Sequence, residues 1–352
     1  MGGLRLQALH RPWWGVGGIV ENEARNDDGR DRDDSRGSDA PEGLTVSLHR
    51  PDHTTGASPV PVKPRSPRNG CMFTRNSQLA TRNSQLATPN PFAAHPANRE
   101  NPRMDQFSLE GKTAIVTGGS RGIGYEIARA FIAAGARVII TARGEGPLND
   151  AAAALGPRCI ARACDNADTT AIAAMIASAW ELAPIDILVN NAGISPHYKR
   201  AEHVTIEDWD PVVDVNLRGT YFASIEFAKR VFEMAIPASI INISSVSGVM
   251  PLERIGPYAA TKAAINQLTR VMALEWADRN LRVNAIAPGW TETEFTGDLF
   301  ASRHGEKLVA DVPLARFATP GDITGAAVWL ASDAASYVTG SIIVIDGGRQ
   351  LR

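Results

Sequence analysis

The chain has 352 residues, with 36 lysines and arginines set against 38 aspartates and glutamates for a formal net charge of −2. That balance gives no electrostatic footprint for nucleic acid or an anionic membrane, and three cysteines without a CxxC or a histidine cluster argue against a disulfide framework or a bound metal. No apolar run approaches the roughly 20 residues that cross a bilayer. The N-terminus also lacks the basic-then-apolar order of a secretory signal, so the expected setting is the cytoplasm.

Residues 1–103 are dominated by proline, arginine, asparagine and serine, and are expected to be a disordered N-terminal extension, because such a segment buries too little apolar surface to offset its ordering entropy. Within it, residues 74–80 recur unchanged as 81–87. One leucine per unit cannot build a heptad core, which suggests duplication of the coding sequence. Met104 stands directly before the folded pattern and is the expected true start, the alternative being a genuine unstructured extension.

From there, apolar runs suited to buried parallel strands occur at 113–117, 137–141, 159–164, 185–190, 239–244, 282–287 and 341–345, separated by helix-length amphipathic stretches. The expected fold class is α/β: one domain, 104–352, built on a doubly wound (Rossmann) seven-stranded parallel sheet. Such sheets bind ligands beyond the carboxyl ends of their strands. Gly118, Arg143, Asp165, Asn191, Ser245 and Pro288-Gly289 follow the first six strands in turn.

The string Thr117-Gly118-Gly119-Ser120-Arg121-Gly122-Ile123-Gly124 joins the first strand to a helix, the arrangement that presents backbone amides to a pyrophosphate. Further on, Tyr258 and Lys262 lie four residues apart on one helix face, thirteen residues beyond Ser245. An ammonium beside a phenol stabilises the phenolate, so Lys262 is expected to lower the pKa of Tyr258. With Asn190-Asn191-Ala192-Gly193 between them, these motifs resemble the short-chain dehydrogenase/reductase family over residues 107–348.

The resemblance implies that Tyr258 is the general acid in reduction and the base in oxidation, that Lys262 also holds the nicotinamide ribose, and that Ser245, rather than Ser244, binds the substrate oxygen. Asn216 would hold a proton-relay water. Gly118, Ser120, Arg121, Gly122, Ile123 and Gly124 would cradle the cofactor. Asp165 and Asn166 would meet the adenine, Asn191, Ala192 and Gly193 would wall the adenine and ribose, and Pro288, Gly289, Thr291 and Thr293 would take the carboxamide. The irregular stretch from there to Val312, with Phe295, Leu299, Phe300, Arg303, His304 and Lys307, would form a mobile lid. The family also implies a homotetramer.

Cofactor choice turns on charge after the second strand. Ala142 stands where relatives preferring NAD carry an acid, while Arg143 and Arg121 offer guanidinium groups to a 2′-phosphate; NADP(H) is therefore expected, with NAD(H) left open. Alternatively the two arginines are solvated loop charges near Glu145. The loop bearing His197, Tyr198, Lys199 and Arg200 suits either an anionic substrate or a solvated surface. The expected function is an NADP(H)-dependent oxidoreductase interconverting a secondary alcohol and a ketone, similar to the gluconate 5-dehydrogenase and 3-oxoacyl-carrier-protein reductase branches, acting on a small molecule. A nucleotide-sugar epimerase would carry its extra residues after Lys262 rather than ahead of the fold. A dinucleotide-sensing regulator would commonly lack Tyr258 or Lys262.

Overall fold

The computed structural model describes residues 105–294, 296, 300 and 303–352. The extension expected over 1–103, its duplicated heptapeptide, and Phe295 and Leu299 of the expected lid lie outside the described residues. Seven parallel strands follow in chain order: β1 (Thr113–Thr117), β2 (Arg137–Ala142), β3 (Cys159–Ala163), β4 (Ile187–Asn190), β5 (Ala238–Ile243), β6 (Leu281–Pro288) and β7 (Ile342–Ile345). The crossover helices are α1 (Gly122–Ala133), α2 (Glu145–Leu155), α3 (Thr169–Trp180), α4 (Ile206–Val212), α5 (Gly219–Met234), α6 (Gly256–Trp276), α7 (Arg303–Ala310) and α8 (Gly321–Ala331).

The sheet runs β3-β2-β1-β4-β5-β6-β7. All seven expected strands are present, β1 with the expected bounds and the others with ends displaced by one or two residues. Residues 185–186, for example, precede β4, and there the Asp186 carboxylate accepts the Thr113 backbone N–H at 2.8 Å.

The pleat explains why these runs are apolar throughout. In β1, Ala114 and Val116 face one layer with Ile127 and Phe131 of α1 and Ile323 and Leu330 of α8, whereas Ile115 faces the other with Ile172 and Ile176 of α3 and Phe227 and Val231 of α5. Helices cover both faces, so alternation gives way to continuous hydrophobicity. Each fully buried large aliphatic or aromatic side chain contributes about 1.5–3 kcal/mol.

The central strands carry polar residues that bond one another inside the core, although Asn190 Oδ1 is buried without a partner. Asn190 donates to Asn242 Oδ1 and Ser224 Oγ, each at 2.9 Å, and Asn242 donates to Thr269 Oγ1 at 2.9 Å, tying β4, β5, α5 and α6 together. Because β1 lies between β2 and β4, its two flanking connections leave in opposite directions, and the crevice this opens sits at the strands' carboxyl ends.

Candidate active site

The crevice is a cleft of about 570 Å³. Of the catalytic and cofactor-binding residues expected from the sequence, all but Gly124 and Asn216 line it.

At one end stands the β1–α1 turn. Gly118 has φ 64°, and a Cβ there would lie 2.9 Å from Ala192 Cα, so only glycine allows the turn to approach the chain after β4. Asn191 locks that approach by donating through Nδ2 to the Thr117 and Gly118 carbonyls at 2.9 and 3.0 Å. Gly124 packs beneath: a Cβ there would meet the Gly118 carbonyl oxygen and Asn191 Nδ2 at 2.4 Å. Its part is to keep the turn tight, which is why it lies off the cleft wall.

Arg143 is exposed just past β2 and forms no hydrogen bond or ion pair with another described residue. Arg121 meets Glu294 at 3.0 Å rather than Glu145, and both side chains are largely exposed. Asp165 accepts the Ala167 N–H at 3.0 Å in a tight turn, and Asn166 donates to the Val215 carbonyl at 2.7 Å. Thr291 is buried, and its hydroxyl donates to the Gly289 carbonyl at 3.2 Å, so this polar side chain is satisfied by its own turn. Thr293 lies against Thr296, their hydroxyls 3.3 Å apart.

At the other end are Ser245, Tyr258 and Lys262. Pro257 in the first turn of α6 presets its helical φ and lacks the N–H that would be orphaned there, and the helix carries Tyr258 and Lys262 one turn apart. Lys262 is buried, donates through Nζ to the Ile243 carbonyl at 2.7 Å, and sits 5.4 Å from the centre of the Tyr258 ring. Burial, with no carboxylate to oppose it, depresses the Lys262 ammonium to about 8. Burial also raises Tyr258 above the ordinary tyrosine value, partly offset by a hydrogen bond with Ser245. The net direction for the phenol is therefore upward, against the lowering expected from Lys262, because burial sets it.

The two neighbouring serines divide their work. Ser244 Oγ donates to the Lys262 carbonyl at 3.1 Å and fastens α6 to β5. Ser245 Oγ accepts from Ser247 N at 3.1 Å and Ser247 Oγ at 3.0 Å, which occupies its lone pairs and leaves its O–H to donate.

Asn216 sits on a π-helical segment, Val213–Arg218, between α4 and α5. It is fully buried; Oδ1 accepts the Ile194 N–H and Nδ2 donates to the Ile194 carbonyl, both at 2.8 Å. The carboxamide is thus engaged with the loop that walls the cleft.

The basic loop behaves differently from either expectation. Lys199 Nζ meets the buried Asp208 carboxylate at 2.6 and 2.9 Å, and His197 Nε2 stands 3.0 Å from Asp208 Oδ1. Sequence reasoning missed Asp208, although the capping-box spacing Thr205-x-x-Asp208 marks a helix start there. It also missed Ser195, Leu252 and Ile255, which line the cleft near Tyr258 but carry no motif.

A cleft with a glycine-rich dinucleotide cradle at one end and a proton-bearing phenol at the other defines a nucleotide-dependent oxidoreductase. A family model described as enoyl-(acyl carrier protein) reductase matches residues 118–350. The chain is 42% identical over 251 residues to a galactitol 2-dehydrogenase (L-tagatose-forming) of Cereibacter sphaeroides, covering 69% of this chain and 96% of that one. It is 38% identical over 260 residues to 3β-hydroxysteroid dehydrogenase 1 of Eggerthella lenta, covering 69% and 95%. A solved gluconate 5-dehydrogenase of Burkholderia cenocepacia, in complex with NADP and tartrate, superposes with a TM-score of 0.68 at 33% identity, covering 71% of this chain and 99% of that one. The chain belongs to the short-chain dehydrogenase/reductase family and is an NAD(P)-dependent dehydrogenase of CH–OH groups.

Proposed function

We propose that the protein oxidises a secondary alcohol of a polyol or sugar acid to a ketone, and catalyses the reverse reduction, with NADP(H) as the preferred cofactor. The observation that carries this reading is the pairing, across one cleft, of the Ser245–Tyr258–Lys262 wall with an uncommitted guanidinium at Arg143. The residues present fit a dinucleotide, since Gly118, Ser120, Arg121, Gly122 and Ile123 at the head of α1 line the same cleft as Arg143, Tyr258 and Lys262. NADP(H), when bound, supplies or accepts the hydride.

The chain's own groups handle the proton. Tyr258 gives it to the carbonyl oxygen during reduction and takes it back during oxidation, and the Ser245 O–H donates to the same oxygen. Lys262 orders the ribose side of the cleft, and Asn216, whose carboxamide fixes the Ile194 wall, holds the proton-relay water. Ser120, Arg121, Gly122, Ile123, Asp165, Asn166, Asn191, Ala192, Gly193, Pro288, Gly289, Thr291 and Thr293 line the length of the cofactor site.

Two outcomes test the cofactor site. Ala142→Asp, which sets a carboxylate against the 2′-phosphate, is expected to shift the ratio of kcat/KM for NADP over NAD about 100-fold toward NAD; an unchanged ratio would dismiss the arginine argument. Gly124→Ala, whose methyl would strike the Gly118 carbonyl, is expected to raise the Kd for NADPH about tenfold, read by fluorescence titration.

We place the working domain at residues 104–352, a span supported by relatives that are matched over nearly their whole length. Assembly as a homotetramer is supported by exposed Trp209, Tyr221 and Phe222 on α4 and α5 and Val271 and Leu274 on α6, and sedimentation would test it. A cytoplasmic setting agrees with Cys159 and Cys164 standing as free thiols that burial holds up at about 11.

A further inference from the structure

A niche of about 10 Å³ adjoins the substrate end of the cleft and shares Ser195, His197, Ile255 and Tyr258 with it. That is room for one water-sized group. Its charged walls come from three places: Lys199 from the chain after β4, Asp208 from α4, and Arg254 from the chain just ahead of α6. The Lys199 ammonium donates to both Asp208 carboxylate oxygens, at 2.9 and 2.6 Å, and those two charges cancel. Arg254 has no such partner. Its guanidinium lies 5.5 Å over the Tyr198 ring, a contact that leaves the charge uncancelled, and it forms no ion pair with a described carboxylate. Glu253, its neighbour in the chain, is exposed and lines neither the niche nor the cleft. His197 adds a positive charge or none, so the niche walls are net positive in either protonation state of the imidazole.

The backbone points the same way. Arg254 has φ 66°, in the left-handed region that a glycine enters freely and an arginine rarely. Its neighbours hold it there: the Arg254 carbonyl accepts the Lys199 N–H at 2.8 Å, and the next carbonyl, that of Ile255, accepts the Ala259 N–H at 2.9 Å as α6 begins. Strained residues persist where the surroundings over-determine them, and they gather at ligand sites. A glycine would make the same bend without strain. What arginine adds at this position is a guanidinium four residues ahead of Tyr258, beside the reacting end of the cleft.

We propose that Arg254 is a specificity-determining residue that receives one oxygen of a substrate carboxylate in this niche while Tyr258 meets the reacting hydroxyl. Lys199 and Asp208 are positioning residues that fix the loop on which the Arg254 carbonyl is held. The inference rests on the alcohol-oxidising reading above and narrows its substrate class to sugar acids over uncharged polyols.

The test uses the full-length chain with gluconate and galactitol, and reads both turnover and the calorimetric Kd of gluconate for the complex with NADPH. The parent is expected to show a higher kcat/KM for gluconate than for galactitol. Arg254→Gln is expected to raise the KM and Kd for gluconate about 30-fold, the order of one charge-assisted hydrogen bond, and to lower the gluconate-to-galactitol ratio of kcat/KM by the same factor. Because the niche takes a single oxygen, a point charge should serve, and Arg254→Lys is expected to recover the parental ratio to within about fivefold. A parent that prefers galactitol, an Arg254→Gln enzyme in which the two KM values move together, or an Arg254→Lys enzyme no better than Arg254→Gln overturns the subsite. Turnover of both alcohols without dependence on Arg254 overturns the subsite and keeps the alcohol-oxidising reading. Gluconate binding that weakens in Arg254→Gln, with no turnover of either alcohol, keeps the subsite and overturns that reading; neither binding nor turnover overturns both.

Discussion

Tyr258→Phe is expected to lower kcat by about 10²–10⁴-fold, the range that a positioned proton donor contributes. The change removes only the phenolic oxygen. The ring keeps its place on α6, and Lys262 keeps its bond to the Ile243 carbonyl at 2.7 Å, so NADPH affinity and melting temperature should stay near those of the parent. The burial that raises the phenol's pKa keeps the proton on oxygen through the neutral range, which suits the reductive direction, where the group must arrive protonated. Initial rates at saturating cofactor measure the loss. A Phe variant retaining a tenth or more of parental kcat would mean that another group delivers the proton.

Lys262→Met is expected to abolish turnover and yet stabilise the fold at neutral pH. The ammonium is buried, with one carbonyl partner and no anion, and its pKa is depressed to about 8. A lowered pKa means the folded protein resists the proton that the unfolded chain binds readily. Stability therefore rises with pH between about 8 and the ordinary lysine value near 10.4, and is lowest below 8, where the folded protein carries the buried charge. The depression corresponds to an upper bound of about 3 kcal/mol. Leaving the Ile243 carbonyl unpaired returns about 1–3 kcal/mol of that. The variant should thus melt up to a few degrees above the parent at pH 7, and the gap should close as the pH approaches 10, as followed by thermal denaturation across pH. A lower melting temperature at pH 7 would show that the carbonyl bond outweighs the buried charge. The destabilising penalty carried by the parent is the kind of local cost that functional residues impose on a fold.

Much of this arrangement was legible in the chain itself. The seven apolar runs declared a sheet covered on both faces because a strand buried on both sides needs no polar alternation, and β1 and β4 are buried along their whole length. The positions at the strands' carboxyl ends followed from topology alone. What escaped were properties created by packing. The pKa of Tyr258 follows desolvation rather than its neighbour four residues on, and burial of a single atom has no signature in spacing. Ser244 and Ser245 are chemically identical in sequence and both line the cleft; only the folded backbone ties the Ser244 hydroxyl to the Lys262 carbonyl and sets the Ser245 hydroxyl against Ser247. Lys199 reads as part of a basic loop because its anion, Asp208, lies across the turn into α4 and becomes a partner only when that helix folds back. Asn190 and Asn191, adjacent in the chain, serve the sheet interior and the glycine turn respectively.

The central claim is that this cleft moves a hydride to or from NADP(H) while Tyr258 moves the proton. The most direct measurement is the initial rate of change at the reduced-nicotinamide absorbance band, with the full chain, galactitol and gluconate, and NADP⁺ or NAD⁺ in turn. Turnover that favours NADP⁺ and disappears in Tyr258→Phe is the expected result. Faster turnover with NAD⁺, or none with either cofactor from a chain that still binds NADPH, would contradict it.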